Sequence, residues 1–94
     1  MRPLSPTAAV LITGASSGIG RATAERLARH GFRVFGASRR PPSSVPSGVR
    51  DHWIVMDVRD EAQARAGVSD VVATAGGLDA VVCAAGYAVF GSVE

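Results

Sequence analysis

The segment from residue 8 to residue 30 constrains the fold more than any other part of the sequence. It begins with an apolar run at residues 8–12, which predicts a buried strand. A turn with three glycines follows, and residues 18–30 then have the apolar spacing of a helix. A strand, a glycine-rich turn and a helix in this order form half of a dinucleotide-binding unit. The sequence therefore predicts an α/β fold in which this turn binds a nucleotide.

The residue types in the turn each have a physical reason to be there. Gly14 permits a sharp backbone turn out of the strand. Gly18 has no Cβ, so the backbone can approach a pyrophosphate group, and Gly20 lets the helix pack tightly on its strand. The first N–H groups of the helix have no intrahelical partner and carry the positive end of the helix dipole, while Ser16 and Ser17 add hydroxyl donors. We predict an anion site here; the alternative is an ordinary tight turn, which also uses glycine.

This turn resembles the glycine motif of the short-chain dehydrogenase/reductase family, Thr-Gly-x-x-x-Gly-x-Gly. The matching residues and the usual residues between them are Thr13, Gly14, Ala15, Ser16, Ser17, Gly18, Ile19 and Gly20. The resemblance extends from about residue 10 to residue 94, and members of the family are usually more than twice as long. It implies that residues 1–94 are the N-terminal part of a single Rossmann-type dinucleotide-binding domain. The implied fold is a doubly wound parallel sheet, incomplete, with about four strands in the order 3-2-1-4.

Composition favours a globular domain and argues against other classes of partner. The chain is 47% hydrophobic and 19% charged, which suits a buried parallel sheet. All ten basic residues are arginines, the net charge is only +2, and no basic stripe contains interleaved aromatic residues. The single cysteine, Cys83, fits a reducing compartment, and the first apolar run is too short to span a membrane. We expect a cytoplasmic protein that binds neither nucleic acid nor membrane.

The residues after the second predicted strand, at 33–37, indicate which dinucleotide is bound. In dinucleotide-binding folds an acidic residue at this place holds the 2′-hydroxyl of NAD, whereas an arginine accommodates the 2′-phosphate of NADP. Here Ser38 stands at that place, and Arg39 and Arg40 follow it. A planar guanidinium suits phosphate, so we predict that NADP is preferred over NAD. The alternative is a solvated arginine pair in front of the loop at residues 41–51.

The third predicted strand, at residues 53–56, ends at Asp57 and Val58. The family resemblance implies that an aspartate at this place accepts a hydrogen bond from the adenine amino group, with Val58 beside it in the cofactor site. The alternative is that Asp57 is only a turn residue at the end of a strand.

A second helix is predicted from residue 60 to about residue 75. Asp60 is the expected N-cap with Gln63 as its capping-box partner, and two glycines follow the helix. Gly67 is expected to weaken the helix, because glycine is a poor helix former. Strand and helix thus alternate along the chain, which predicts parallel strands joined by right-handed crossovers.

The fourth predicted strand covers residues 78–85. The family usually has Asn-Asn-Ala-Gly where this chain has Cys83, Ala84, Ala85 and Gly86. The resemblance implies that the last three lie near the adenosine ribose, while the loss of both asparagines removes hydrogen bonds that usually brace the sheet. Residues 87–94 are predicted to lead into a helix. A complete doubly wound sheet has a fifth strand beside the fourth. Without it, the outer edge of the fourth strand is expected to be exposed and apolar, which favours aggregation.

The catalytic residues that the resemblance implies are absent from this sequence. The family uses a serine, a tyrosine and a lysine four residues after the tyrosine. Tyr87 is the only tyrosine, Gly91 stands four residues later, and the chain has no lysine. We therefore assign no catalytic residue and no metal ligand.

Two functions remain open for the chain. One is the NADP-binding portion of an oxidoreductase that transfers hydride between NADP(H) and a small carbonyl or alcohol substrate. Residues outside these 94 would then supply the catalysis and the interface of an expected homo-oligomer. The other is a truncated nucleotide-binding module without turnover.

Overall fold

The computed structural model describes residues 8–16, 18–50, 52–84 and 90–92. The elements in chain order are β1 (Ala9–Thr13), α1 (Gly18–Arg29), β2 (Arg33–Ser38), β3 (Ile54–Val55), α2 (Glu61–Ala75), β4 (Ala80–Cys83) and β5 (Phe90–Ser92). The strands form one sheet in the order β3-β2-β1-β4-β5, and the two helices cover its faces. Strands β1 to β4 are parallel, so the predicted Rossmann-type order 3-2-1-4 is confirmed.

Strand β1 is the centre of the sheet because it pairs with β2 on one side and with β4 on the other. Its alternate side chains point to opposite faces. Leu11 lies in a cluster with Phe35 and with Val71 of α2, whereas Ile12 lies in a second cluster with Ala24 of α1. All five residues of β1 are buried, since a helix covers each face. This double burial explains why the strand is a continuous apolar run.

Helix α2 begins and ends as the sequence predicts. The Asp60 carboxylate accepts a hydrogen bond from the Gln63 N–H at 3.1 Å, and Gly76, with a φ of 81°, donates its N–H to Val72 O. The reciprocal half of the capping box is different. The Gln63 side chain accepts from the N–H of Asp57 at 2.9 Å, because the Asp60 N–H already donates to Asp57 O in the tight turn after β3. Gln63 therefore connects the start of α2 to the end of β3.

Gly67 has a packing role in α2 besides its poor helix propensity. A Cβ at this position would lie 2.4 Å from Met56 Sδ and 3.0 Å from Ile54 Cγ2. Glycine therefore allows the helix to approach the strand side of the core closely.

The prediction for the end of the chain was wrong where the structure describes it. Residues Phe90–Ser92 form a strand antiparallel to β4, with Val81 opposite Gly91, instead of leading into a helix. The outer edge of β4 is consequently paired and not exposed. The physical reason is that the edge of β4 presents N–H and C=O groups that need partners, and β5 supplies them. The other residues of the predicted helix lie outside the described part of the chain.

Candidate functional site

A cavity of about 640 Å³ lies where the carboxyl ends of the four parallel strands meet. Its described lining residues come from the last residues of those strands and from the segments that follow them. They are Thr13, Gly14, Ser16, Gly18, Ile19, Ser38, Arg39, Met56, Asp57, Val58, Arg59, Cys83 and Ala84. Open α/β sheets bind their ligands at this edge, and the volume is in the range of small-molecule sites.

Most of the residues predicted to bind the cofactor are brought together in this cavity. Nine of them line it, namely Gly14, Ser16, Gly18, Ile19, Ser38, Arg39, Asp57, Val58 and Ala84. Gly20 is buried in α1, and the exposed Arg40 is not among the described lining residues. Ser17, Ala85 and Gly86 lie outside the described residues. Thr13, Met56, Arg59 and Cys83 are lining residues that the sequence analysis did not assign to the site.

The glycine turn has the backbone conformation that an anion site requires. Gly14 and Gly18 have φ values of 69° and 59°, in the left-handed region that favours glycine. The N–H of Ala15 donates to Ala37 O at 3.1 Å and fixes the turn to the end of β2. A Cβ on Gly18 would meet no atom within 4 Å, so the space in front of the first turn of α1 is open. This arrangement fits a phosphate group at the N-terminus of the helix.

Two residues on either side of the turn, one in β1 and one in α1, support a ligand in the cavity. Thr13 is only 3% exposed, and its Oγ1 has no hydrogen-bond partner in the described structure. A buried hydroxyl without a partner is costly, so a polar group that enters the cavity would restore a hydrogen bond. Ile19 is 81% exposed at the cavity wall, where a bound molecule would cover its apolar surface. The sequence marked Thr13 only as part of the motif.

Asp57 is paired at the cavity wall with Arg59. Its Oδ1 accepts from Arg59 N at 2.9 Å and from Nε at 3.1 Å, and its Oδ2 accepts from Nη2 at 3.0 Å. These hydrogen bonds hold the pKa of Asp57 at about 2, below its ordinary value of 3.8, with a smaller electrostatic contribution from Arg39. The same carboxylate raises the pKa of Arg59. Asp57 is therefore an ionised acceptor at neutral pH. The sequence analysis did not assign Arg59 to the site, but its opposite charge two residues after Asp57 could have indicated the pair.

Ser38 lines the cavity, but its hydroxyl already has two partners. It donates to the carbonyl oxygen of Arg40 and accepts from Trp53 Nε1 at 3.0 Å. The neighbouring Arg39 is exposed, lines the cavity and acts electrostatically on Asp57. Of the two arginines after β2, Arg39 is thus the one that the structure places at the cavity.

The chemistry of the cavity suits an anionic ligand. Among its described lining residues it offers backbone N–H groups, hydroxyls and the positive charges of Arg39 and Arg59 against one carboxylate, that of Asp57. In the described part of the chain, no group of three His, Cys, Asp or Glu side chains is placed to hold a metal ion. Over the same residues, neither helix has the length and apolarity that crossing a membrane requires.

Fold and site together define a nucleotide-binding α/β protein of the Rossmann type. The family model for short-chain dehydrogenases matches residues 8–94, and the chain belongs to this family. It is 34% identical over 85 residues to 3-ketodihydrosphingosine reductase of Bacteroides thetaiotaomicron, an alignment that covers 90% of this chain and 30% of that protein.

Solved structures show the same similarity. The ligand-free aldohexose dehydrogenase of Thermoplasma acidophilum superimposes with a TM-score of 0.75 and 32% identity, over 94% of this chain and 33% of that one. The 3-ketoacyl-(acyl-carrier-protein) reductase of Brucella melitensis, solved with NADH, gives a TM-score of 0.71 and 27% identity, over 83% of this chain and 34% of that one. The chain thus spans about a third of the length of these relatives.

Proposed function

We propose that this chain is the NADP(H)-binding portion of a short-chain dehydrogenase/reductase acting on a carbonyl or alcohol substrate. The observation that carries the proposal is the position of Arg39 in the cavity at the carboxyl ends of the parallel strands, which the glycine turn also lines. Family membership and a neighbouring structure solved with NADH support nucleotide binding. The preference for NADP over NAD rests on Arg39.

The residues proposed to bind the dinucleotide divide into groups that suit its parts. The N–H groups at the start of α1, with Ser16 and Ser17, would hold the pyrophosphate. Arg39 would hold the 2′-phosphate, with Arg40 adding positive charge nearby. Asp57 would accept from the adenine amino group beside Val58, and the backbone at residues 84–86 would lie along the ribose. When bound, the cofactor supplies the hydride chemistry, and this chain binds and orients it.

Acid–base catalysis would come from residues outside these 94. The catalytic lysine of the family has no counterpart here, because the sequence contains no lysine. We place the whole protein in the cytoplasm as a homo-oligomer, with its substrate site in the part of the protein beyond this chain.

A second candidate is a nucleotide-binding module without turnover. The observation that favours it is β5, which pairs antiparallel with β4 at the edge where a complete doubly wound sheet has its fifth parallel strand. The intact mass of the purified protein and its NADPH oxidation over a panel of carbonyl compounds separate the two. A mass near 9.6 kDa without turnover supports the module, whereas a mass more than twice as large with turnover supports the reductase.

The NADP assignment is tested by calorimetric titration of the purified protein with NADP⁺ and with NAD⁺. Arg39→Ala should weaken NADP⁺ binding about ten-fold or more, because a charged hydrogen-bond donor to phosphate is lost, and leave NAD⁺ binding unchanged. Arg29→Ala is the matched control, since Arg29 is an exposed arginine in the last turn of α1. If Arg39→Ala keeps the preference of the wild type for NADP⁺, the assignment is wrong.

A further inference from the structure

The hydroxyl of Ser38 connects the end of β2 to a side chain from the far side of the following loop. Ser38 is the last residue of β2 and is only 9% exposed. Its hydroxyl donates to Arg40 O and accepts from the indole N–H of Trp53 at 3.0 Å. The hydroxyl has one proton to donate, and that proton is already used within the protein. Ser38 is therefore poorly placed to donate to a phosphate itself.

The indole ring of Trp53 is positioned by Gly36 of β2. A Cβ at Gly36 would lie 2.4 Å from Trp53 Cζ3 and 2.7 Å from Cη2, so the indole ring lies directly against the backbone of β2. The ring also packs against the apolar cluster that contains Val34. The backbone beside it is fixed as well, because Met56 N donates to Ser38 O at 2.9 Å. The indole N–H consequently reaches the Ser38 hydroxyl from a rigid position.

The hydrogen bonds of the Ser38 hydroxyl constrain the backbone around Arg39, which lines the cavity. The carbonyl of Arg40 is held back to the Ser38 side chain, which closes a tight turn around Arg39. Arg39 lines the cavity, and Pro41 and Pro42 follow the turn. A backbone that is already ordered loses less entropy when the arginine binds an anion.

We propose that Trp53 and Ser38 are positioning residues for the 2′-phosphate, because together they hold the turn that presents Arg39. In this arrangement neither side chain would need to contact the phosphate: Ser38 acts through the carbonyl of Arg40, and Trp53 acts through the hydroxyl of Ser38. The proposal rests on the proposed function of the cavity as an NADP site. It predicts that the two residues affect the affinity for NADP and leave the affinity for NAD, which lacks the 2′-phosphate, nearly unchanged.

The test is the ratio of NADP⁺ to NAD⁺ affinity in the purified protein and its variants. Ser38→Ala removes both hydrogen bonds, and Trp53→Phe removes the N–H while keeping an aromatic ring against Gly36. Each should weaken NADP⁺ binding about three- to ten-fold, the range expected for one or two neutral hydrogen bonds, and change NAD⁺ binding less than about two-fold. Ser38→Thr, which keeps a hydroxyl, should restore the ratio.

Val55→Thr serves as the matched control, since Val55 pairs with Ser38 across the sheet and its side chain is 54% exposed. It should leave both affinities unchanged. Trp53 is the single tryptophan, so one indole N–H signal in the nuclear magnetic resonance spectrum reports the bond to Ser38 directly. Its exchange with solvent should be faster in Ser38→Ala than in the wild type.

The outcomes separate this proposal from the proposed function. If the wild type does not prefer NADP⁺, the proposed NADP site fails, and the positioning role fails with it. If Arg39→Ala loses the preference but Ser38→Ala and Trp53→Phe keep it, the NADP site stands and the positioning role is overturned. Equal losses of NADP⁺ and NAD⁺ affinity also overturn it, because they indicate a general effect on folding. Should Ser38→Ala not fold, Trp53→Phe decides the question alone.

Discussion

Gly20 lies so close to Gly14 that a Cβ atom on Gly20 would come within 2.0 Å of the carbonyl oxygen of Gly14. The first turn of α1 therefore rests directly on the backbone that leaves β1. This contact fixes the position of α1, whose N-terminal residues line the cavity. No other residue type fits at position 20 without moving the helix, because every other side chain has a Cβ.

Replacement of Gly20 by alanine should damage both the fold and nucleotide binding. The added methyl group meets backbone atoms that cannot rotate away, so we expect a loss of about 3 kcal/mol in unfolding free energy, typical of strong overpacking. Urea unfolding and calorimetric binding measure the two effects. Gly77→Ala is the control, since a Cβ there would meet nothing within 4 Å. A Gly20→Ala protein as stable as the control would contradict the packing argument.

Gly18→Ala should separate binding from stability. A Cβ at this position has open space around it, but the φ of 59° strains a residue with a side chain by about 1 kcal/mol. The methyl group would project in front of the first turn of α1, where the pyrophosphate is proposed to bind. We therefore expect a smaller loss of stability than for Gly20→Ala, together with a clear loss of affinity for NADP⁺. Retained affinity would show that the phosphate does not approach Gly18.

Asp79 should contribute to stability through two hydrogen bonds to Ala9, 70 residues earlier in the chain. Its carboxylate accepts from Ala9 N at 2.8 Å, and its own N–H donates to Ala9 O at 2.9 Å, which joins the start of β4 to β1. Asp79→Ala leaves the buried N–H of Ala9 without its acceptor, at a cost of about 1–3 kcal/mol in unfolding free energy.

Two variants control that measurement. Asp79→Asn keeps an acceptor oxygen and should lose less. Asp70→Ala removes an exposed partner of His52 and should change the stability by less than about 1 kcal/mol. If urea unfolding shows equal losses of unfolding free energy for Asp79→Ala and Asp70→Ala, the hydrogen bonds of Asp79 to Ala9 do not contribute more than an exposed ion pair.

The Asp57–Arg59 pair should make Asp57 titrate at unusually low pH. The folded pKa of about 2 lies below the ordinary 3.8, so any stabilisation by the pair is complete above about pH 4 and is lost as the pH falls towards 2. Arg59→Ala should return the pKa of Asp57 towards 3.8. The pH dependence of the chemical shift of the Asp57 carboxyl carbon, followed by nuclear magnetic resonance, measures this pKa. Arg65→Ala, which breaks the exposed pair with Glu61, should leave that titration unchanged.

If the Asp57 resonance titrates near pH 4 in the wild type, the hydrogen bonds to Arg59 are not formed in solution. Because the carboxylate stays ionised throughout the neutral range, we also expect no titration of Asp57 in the pH dependence of NADP⁺ affinity between pH 5 and 8.

Several features of the site depended on contacts that no local pattern contains. The Ser38 hydroxyl pairs with Trp53, 15 residues later, and only the parallel pairing of β2 with β3 brings the two together. The sequence predicted Ser38 as a residue beside the cofactor, and its orientation towards Trp53 became visible only in the fold. Likewise, Gln63 reaches the N–H of Asp57 because the turn after β3 already uses the Asp60 N–H.

Sequence patterns were sufficient to predict the elements whose causes are local. The apolar run, the glycine spacing and the caps of α2 predicted β1, the turn and both helices, because backbone conformation and helix ends depend on neighbouring residues. The order of the four parallel strands followed from the resemblance of the motif and the alternation of strand and helix. The packing of distant segments determined the pairing of β5 with β4 and the choice of Arg39 over Arg40 at the cavity. It also left the Thr13 hydroxyl without a hydrogen-bond partner among the described residues. Those depend on which groups remain without a partner after distant segments have packed, and that is a property of the whole fold.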